Sequence, residues 1–232
     1  MRIAMWSGPR NLSTAMMYAF GNRADFAVWD EPFYAAYLKK TSLDHPLASE
    51  IIAAHEGDPV KVVARCLDTI PNEKQHFYMK HMPHHMIDGI PLDWARSCTN
   101  IHLIRHPARV IASYAAKREQ VTVTDLGFGQ QAEMFEKIGG TVIDSSDIRN
   151  DPEEMLHLLC DVIGIDFDPA MLHWAAGPRS DDGVWAKHWY NAVHKSTCFA
   201  GAEGPLPELT GRDAELLAES LPHYERLEKE KI

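Results

Sequence analysis

Residues 2–14 read Arg2-Ile3-Ala4-Met5-Trp6-Ser7-Gly8-Pro9-Arg10-Asn11-Leu12-Ser13-Thr14. An apolar run breaks at Gly-Pro and is followed by a stretch, 13–23, in which Ala15, Met16, Met17, Ala19 and Phe20 recur at helical spacing. The pattern is strand, short loop, helix. A buried strand feeding a helix through such a turn aims the backbone N–H groups of the first helical turn at one spot, with the positive end of the helix dipole behind them. That spot suits an anion the size of a phosphate, and Arg10 brings a forked cation to it. An ordinary turn with a Ser or Thr helix cap has the same pattern. The stretch therefore decides the fold, and its chemistry depends on the rest of the chain.

The 232 residues suit one domain, 1–232, with 45% hydrophobic and 24% charged residues, an ordinary globular composition. A formal net charge of -10 argues against a general nucleic-acid or anionic-membrane binder, so any anion site is a local cluster of cations and helix N-termini. Cys66, Cys98, Cys160 and Cys198 form no Cys-x-x-Cys pair, which suits reduced thiols in the cytoplasm rather than disulfides or zinc. The first strand starts at residue 2, leaving no room for a signal peptide, and no apolar run approaches the ~18 residues of a membrane span. A soluble cytoplasmic protein with neither nucleic-acid nor membrane partners is expected.

Further along, 26–29 is a continuous apolar run, as in a central parallel strand, and ends in Asp30-Glu31-Pro32. Proline is expected to hold Glu31 extended, with two carboxylates at the strand tip. Helices are expected within 43–70. A third strand, 75–80, ends at Lys80 and His81 before Met82-Pro83, and a fourth, 101–104, ends in Arg105-His106-Pro107, where Pro107 suits the first turn of a helix. A fifth, 141–143, follows Gly139-Gly140, and Asp151-Pro152-Glu153 opens a helix that Gly164 stops. The segment 177–204 is loop-rich, and a last amphipathic helix, 211–229, is expected to break or kink at Pro222. Strands alternating with helices predict an α/β fold, three layers α/β/α around a mostly parallel sheet. Ligands of such sheets bind outside the carboxyl ends of the strands, which places Asp30 and Glu31 on the rim of the first loop. The group His81, His84 and His85 lacks a nearby carboxylate or Cys at clear ligand spacing, so no metal site is assigned.

A Walker A loop would need a second glycine and a lysine before Ser13-Thr14, and both are missing. The loop instead resembles the one that holds the 5′-phosphosulfate in PAPS-dependent sulfotransferases. Pro9, Arg10, Ser13 and Thr14 match that pattern, while Asn11 and Leu12 stand where the family has Ser and Gly. The stretch 101–113, Ile-His-Leu-Ile-Arg-His-Pro-Ala-Arg-Val-Ile-Ala-Ser, is similar to the family's second signature, in which an Arg and a Ser eight residues later hold the 3′-phosphate; here these are Arg105 and Ser113. Residues 142–165 resemble the acidic strand end and helix that such enzymes carry late in the fold, and Gly183-Val184-Trp185-Ala186-Lys187 resembles the family's late Gly-x-Trp-Lys loop.

The resemblance implies a P-loop NTPase-like sulfotransferase fold and sulfuryl transfer from PAPS, which leaves as PAP, to a hydroxyl or amine of a small acceptor, with no metal required. It implies donor contacts from Gly8, Pro9, Arg10, Asn11, Leu12, Ser13, Thr14, Arg105 and Ser113. Catalytic roles fall to Arg10, to Lys80 and to a base that is Glu31 or His81. A binding module of the same fold without transfer activity, and an ATP-dependent small-molecule kinase, are the alternatives.

Overall fold

Alternate residues of the first strand serve two different cores: Ile3 and Met5 join one hydrophobic cluster, Ala4 and Trp6 another. Strand geometry sends successive side chains to opposite faces, and a sheet covered on both faces needs apolar residues at every position. The computed structural model describes residues 1–115 and 121–232. In chain order its strands are β1 (Arg2–Ser7), β2 (Phe26–Asp30), β3 (His76–His81), β4 (Thr99–Ile104) and β5 (Thr141–Asp144). All neighbours pair in parallel, in the order β2-β3-β1-β4-β5. The five expected strands are therefore present: β3 is shifted by one residue at equal length, and the other four are longer by one or two residues.

The helices are α1 (Ser13–Gly21), α2 (Tyr34–Thr41), α3 (Ala48–Ala54), α4 (Pro59–Leu67), α5 (Pro107–Ala115), α6 (Val123–Leu126), α7 (Phe128–Ile138), α8 (Ser145–Asn150), α9 (Pro152–Ile163), α10 (Ala186–Trp189) and α11 (Gly211–Glu228). Met16, Met17 and Phe20 of α1 and Leu156, Leu159 and Ile163 of α9 cover one face of the sheet. Tyr34 and Leu38 of α2, with Val62 and Cys66 of α4, cover the other. A third cluster packs α5, α7 and α11 around Ile104 and Val142. Capping agrees with the sequence where the signals are strongest: Asp151 accepts from Glu154 N at 3.0 Å at the start of α9, and Gly164 closes it in the left-handed conformation.

One expectation fails. Pro222 lies inside α11, which runs unbroken through all 18 of its residues. Pro222 and Ala218, whose carbonyl loses its helical partner, both face solvent, so water can satisfy the freed group and the break is avoided.

The chain leaves β1 toward β2 and leaves β4 toward β5, in opposite directions along the sheet. The loops after β1 and β4 therefore part, and they open a crevice at the carboxyl ends of the strands.

Candidate active site

The first loop is built under strain. A Cβ on Gly8 would stand 2.8 Å from the Leu126 carbonyl oxygen, so only glycine passes beneath α6 there. Arg10 and Leu12 have φ of 58° and 66°, left-handed values that cost a non-glycine residue about 1–3 kcal/mol. Leu12 thus keeps a backbone that glycine would adopt freely, and its side chain packs against the core beneath α1. Asn11 is buried and donates to the Leu103 carbonyl at 2.7 Å, tying the loop to β4. No side chain caps α1, so the N–H groups of its first turn, at Ser13 to Ala15, are left for the cavity that these residues line.

Arg10 and Ser113, 103 residues apart in sequence, meet: Arg10 Nε donates to Ser113 Oγ at 3.1 Å. Arg105 Nη1 donates to the Arg10 carbonyl at 2.5 Å. Burial, and then the charge of Arg105, lower the Arg10 pKa, and among the described residues no carboxylate lies within salt-bridge distance of its guanidinium. The other nitrogens of Arg105 are engaged by Glu203, which also pairs with Arg149 at 2.8 Å and Arg109 at 3.4 Å.

Deeper in the crevice, neighbouring strands set Asp30 of β2 level with Lys80 of β3. Lys80 Nζ donates to Asp30 at 3.0 Å, Glu31 at 2.5 Å and Tyr190 Oη at 2.8 Å, all in a buried cluster. Tyr190 in turn donates to Asp30 at 2.7 Å and accepts from Trp185 Nε1 at 3.1 Å. Asp30 also accepts from Gly183 N at 3.2 Å. Burial by itself would discharge the Lys80 ammonium, but the fields of Asp30 and Glu31 outweigh it and hold the pKa above the ordinary value. Burial pushes the Glu31 carboxyl up; Lys80 opposes this and Asp30 adds to it.

Glu31 is not extended as expected. Its φ is 39° because its N–H donates to the Lys80 carbonyl at 2.9 Å and its own carbonyl accepts from Tyr34 N at 3.0 Å, a turn that overrides the preference imposed by Pro32.

One cavity of about 370 Å³ is lined by Arg10, Ser13, Thr14, Glu31, Lys80, Arg105 and Ser113, with Pro9, Asn11 and Leu12 on the same wall. His81 is separated from it. As the next residue of β3 it faces the opposite side of the sheet from Lys80, its ring stacked 4.5 Å from Trp6 and boxed by Phe33 and Trp94. Burial there lowers its pKa to about 3, and among the described residues neither ring nitrogen has a partner. The late loop also differs from expectation. Lys187 pairs with Glu50 on the surface rather than lining the cavity, while Gly183 is required because a Cβ would fall 2.1 Å from the Trp185 ring.

Sequence reading missed Tyr190, Arg149 and Glu203. Tyr190 and Glu203 lie in the loop-rich segment 177–204, and Arg149 in the stretch 142–165 after the fifth strand begins; nothing in composition or spacing marks these three residues within them. Among the described residues no cluster of His, Cys, Asp and Glu is arranged to hold a metal ion.

The sulfotransferase domain family matches residues 1–231. Two Arabidopsis thaliana proteins, branched-chain-amino-acid aminotransferase-like protein 2 and protein 1, are 36% and 37% identical to this chain over 96% of its length. The match spans 40% of each of those longer proteins. Among solved structures, the sulfotransferase domain from the curacin biosynthetic pathway superposes with a TM-score of 0.55 at 17% identity, covering 95% of this chain and 96% of that one. A sulfotransferase from Alicyclobacillus acidocaldarius superposes with a TM-score of 0.54 at 12% identity, covering 98% and 94%. The five-stranded parallel sheet is thus that of the P-loop-like sulfotransferase fold, and the chain belongs to the sulfotransferase domain family.

Proposed function

We propose that this domain transfers a sulfuryl group from PAPS to a hydroxyl or amine of a small acceptor. The observation that carries the reading is that Arg10 of the first loop, Arg105 and the Lys80–Glu31 pair line one cavity. PAPS, when bound, supplies an activated sulfuryl group on a phosphate that leaves as part of PAP. The residues present fit it: Arg10 is a half-buried cation without a carboxylate partner among the described residues, and the uncapped first turn of α1 offers N–H groups beside it.

Arg10, Ser13 and Thr14 hold the 5′-phosphosulfate in this reading, and Arg105 and Ser113 hold the 3′-phosphate. Gly8 and Pro9 shape the loop, Asn11 anchors it and Leu12 turns its backbone. Lys80, whose three N–H groups are held by Asp30, Glu31 and Tyr190, gives up one of these bonds to donate to the sulfuryl oxygens, where its charge counts most as the bond to the leaving phosphate lengthens. Glu31 takes the proton from the acceptor as the new bond to sulfur forms. Its raised proton affinity suits a general base better than that of an exposed carboxylate. His81 has no access to the cavity, so the base role is assigned to Glu31. Arg10 and Lys80 meet the charge of the leaving group, and no metal is required.

Thermal unfolding with PAP, ATP-Mg or buffer tests the donor: a shift with PAP is expected, and no shift with PAP overturns it. A shift with ATP-Mg alone points to a kinase. Transfer of labelled sulfate to simple alcohols, phenols and amines tests the reaction, and a PAP shift without transfer points to a binding module. Glu31→Gln is expected to lower kcat/KM by about 10²-fold or more while preserving the fold. In the wild type kcat/KM rises with pH through a value above the ordinary 4.5, because the base must lose its proton; Glu31→Gln lacks that limb. Normal turnover by Glu31→Gln removes the base assignment.

A further inference from the structure

Glu203 lies in 199–210, a stretch without helix or strand, yet its side chain is only 9% exposed. Its carboxylate is clasped by three guanidiniums from separate elements: Arg105 at the end of β4, Arg109 on α5 and Arg149 on α8. Both oxygens are used. Oε1 accepts from Arg105 Nη2 and, at 2.8 Å, from Arg149 Nη1, and Oε2 lies 3.4 Å from Arg105 Nε and 3.4 Å from Arg109 Nε. The remaining nitrogen of Arg105, Nη1, is spent on the Arg10 carbonyl at 2.5 Å. Three of the five N–H donors of Arg105 are thus engaged, and its forked Nε–Nη2 edge, the one suited to two-pronged binding of an anion, is occupied by Glu203.

The charges do not balance. Three cations face one carboxylate, whereas a phosphate monoester brings about -1.5 to -2 and three acceptor oxygens. The same arginines tether the backbone around Glu203: Arg149 Nε donates to the Gly201 carbonyl at 2.9 Å, and Arg109 donates to Gly204 at 2.5 Å and Pro205 at 3.5 Å. Gly201 and Gly204, on either side of Glu203, have no atom within 4 Å of where a Cβ would project, and the backbone freedom of glycine puts two pivots beside the carboxylate.

We propose that Glu203 is an internal competitor of the donor. Segment 200–205 covers the Arg105–Arg109–Arg149 site and is displaced when a phosphate monoester takes the place of the carboxylate, so donor affinity is set by how readily Glu203 lets go. The identity of that monoester as the 3′-phosphate of PAPS rests on the reading above; the competition itself does not.

Calorimetric titration of PAP, AMP and inorganic phosphate into the wild type and Glu203→Gln tests it. Glu203→Gln is expected to bind PAP about tenfold tighter or more, because the bound carboxylate no longer limits the fraction of competent protein, while AMP, which lacks the 3′-phosphate, changes less than about twofold. Equal or weaker PAP binding by Glu203→Gln overturns the proposal and makes Glu203 a prop that orients the arginines. If neither protein binds PAP but Glu203→Gln gains about tenfold for inorganic phosphate, the competition stands and the donor reading falls. If neither ligand distinguishes the two proteins, the proposal falls. Hydrogen exchange on the wild type is an independent check: amides 201–204 are expected to exchange faster with saturating PAP or, where PAP does not bind, with excess inorganic phosphate. Unchanged or slower exchange overturns the displacement.

Discussion

Leu12 separates two demands that glycine meets at once, a left-handed backbone and room for a close approach. Here the first is met by strain, and the side chain is turned into the core beneath α1. Leu12→Gly relieves about 1–3 kcal/mol of backbone strain and gives up about 1.5–3 kcal/mol of apolar burial. Unfolding in denaturant is therefore expected to change by no more than about 1–2 kcal/mol in either direction, with PAP binding retained; loss of binding would mean that the leucine side chain itself supports the site. Lys80, Glu31 and Arg10 were legible as candidates because charged residues at strand ends of an apolar sheet are hard to explain by packing. Their environment was not legible. Tyr190, which completes the buried cluster, is 110 residues from Lys80, and no local pattern reports a pairing over that distance.

At the scale of elements, period and burial carried most of the information. The runs that became β1 and β2 are apolar without alternation, which only strands buried on both faces sustain, and α9 announced both of its ends. Strand order was beyond reach, since it depends on crossovers rather than on any one segment. Proline in α11 shows the limit of a local rule: with Leu216, Tyr224 and Leu227 packed against β5 and its neighbours, the helix continues through it. Pro222→Ala restores an N–H that can reach the Ala218 carbonyl and is expected to raise stability by up to about 3 kcal/mol, read as a higher denaturation midpoint; an unchanged or lower midpoint would show that the helix gains nothing from the restored bond.

Across the whole molecule, buried imidazoles set the response to acid. Burial lowers the pKa of His81 to about 3 and of His102 to about 4, and of His85 well below its ordinary value of 6.5. The unfolded chain binds protons at these sites below about pH 6.5 and the folded chain does not, so stability falls as pH drops from there toward the folded values. Glu31 has the opposite sign: its raised pKa adds stability below the ordinary 4.5 that is lost as pH rises through the folded value. His81→Phe, a ring of similar size in the box of Trp6, Phe33 and Trp94, is expected to shrink the fall in Tm between pH 7 and pH 5 while leaving turnover intact. A fall as steep as that of the wild type would assign the acid response to other groups. The described helices include none long and apolar enough to cross a membrane.

The place of β1 at the centre of the sheet bears on how the chain is made. It is the first strand of this domain to be translated, yet its two neighbours are β3 and β4, which end at residues 81 and 104. Until β3 is made both edges of Ile3 to Trp6 lack their partners, and until β4 is made one edge stays open; such a segment invites capture by other nascent chains. The loop beneath α1 can take its strained shape only once β4 arrives, because Asn11 is anchored to Leu103. The first piece of the site to be translated is thus among the last to mature.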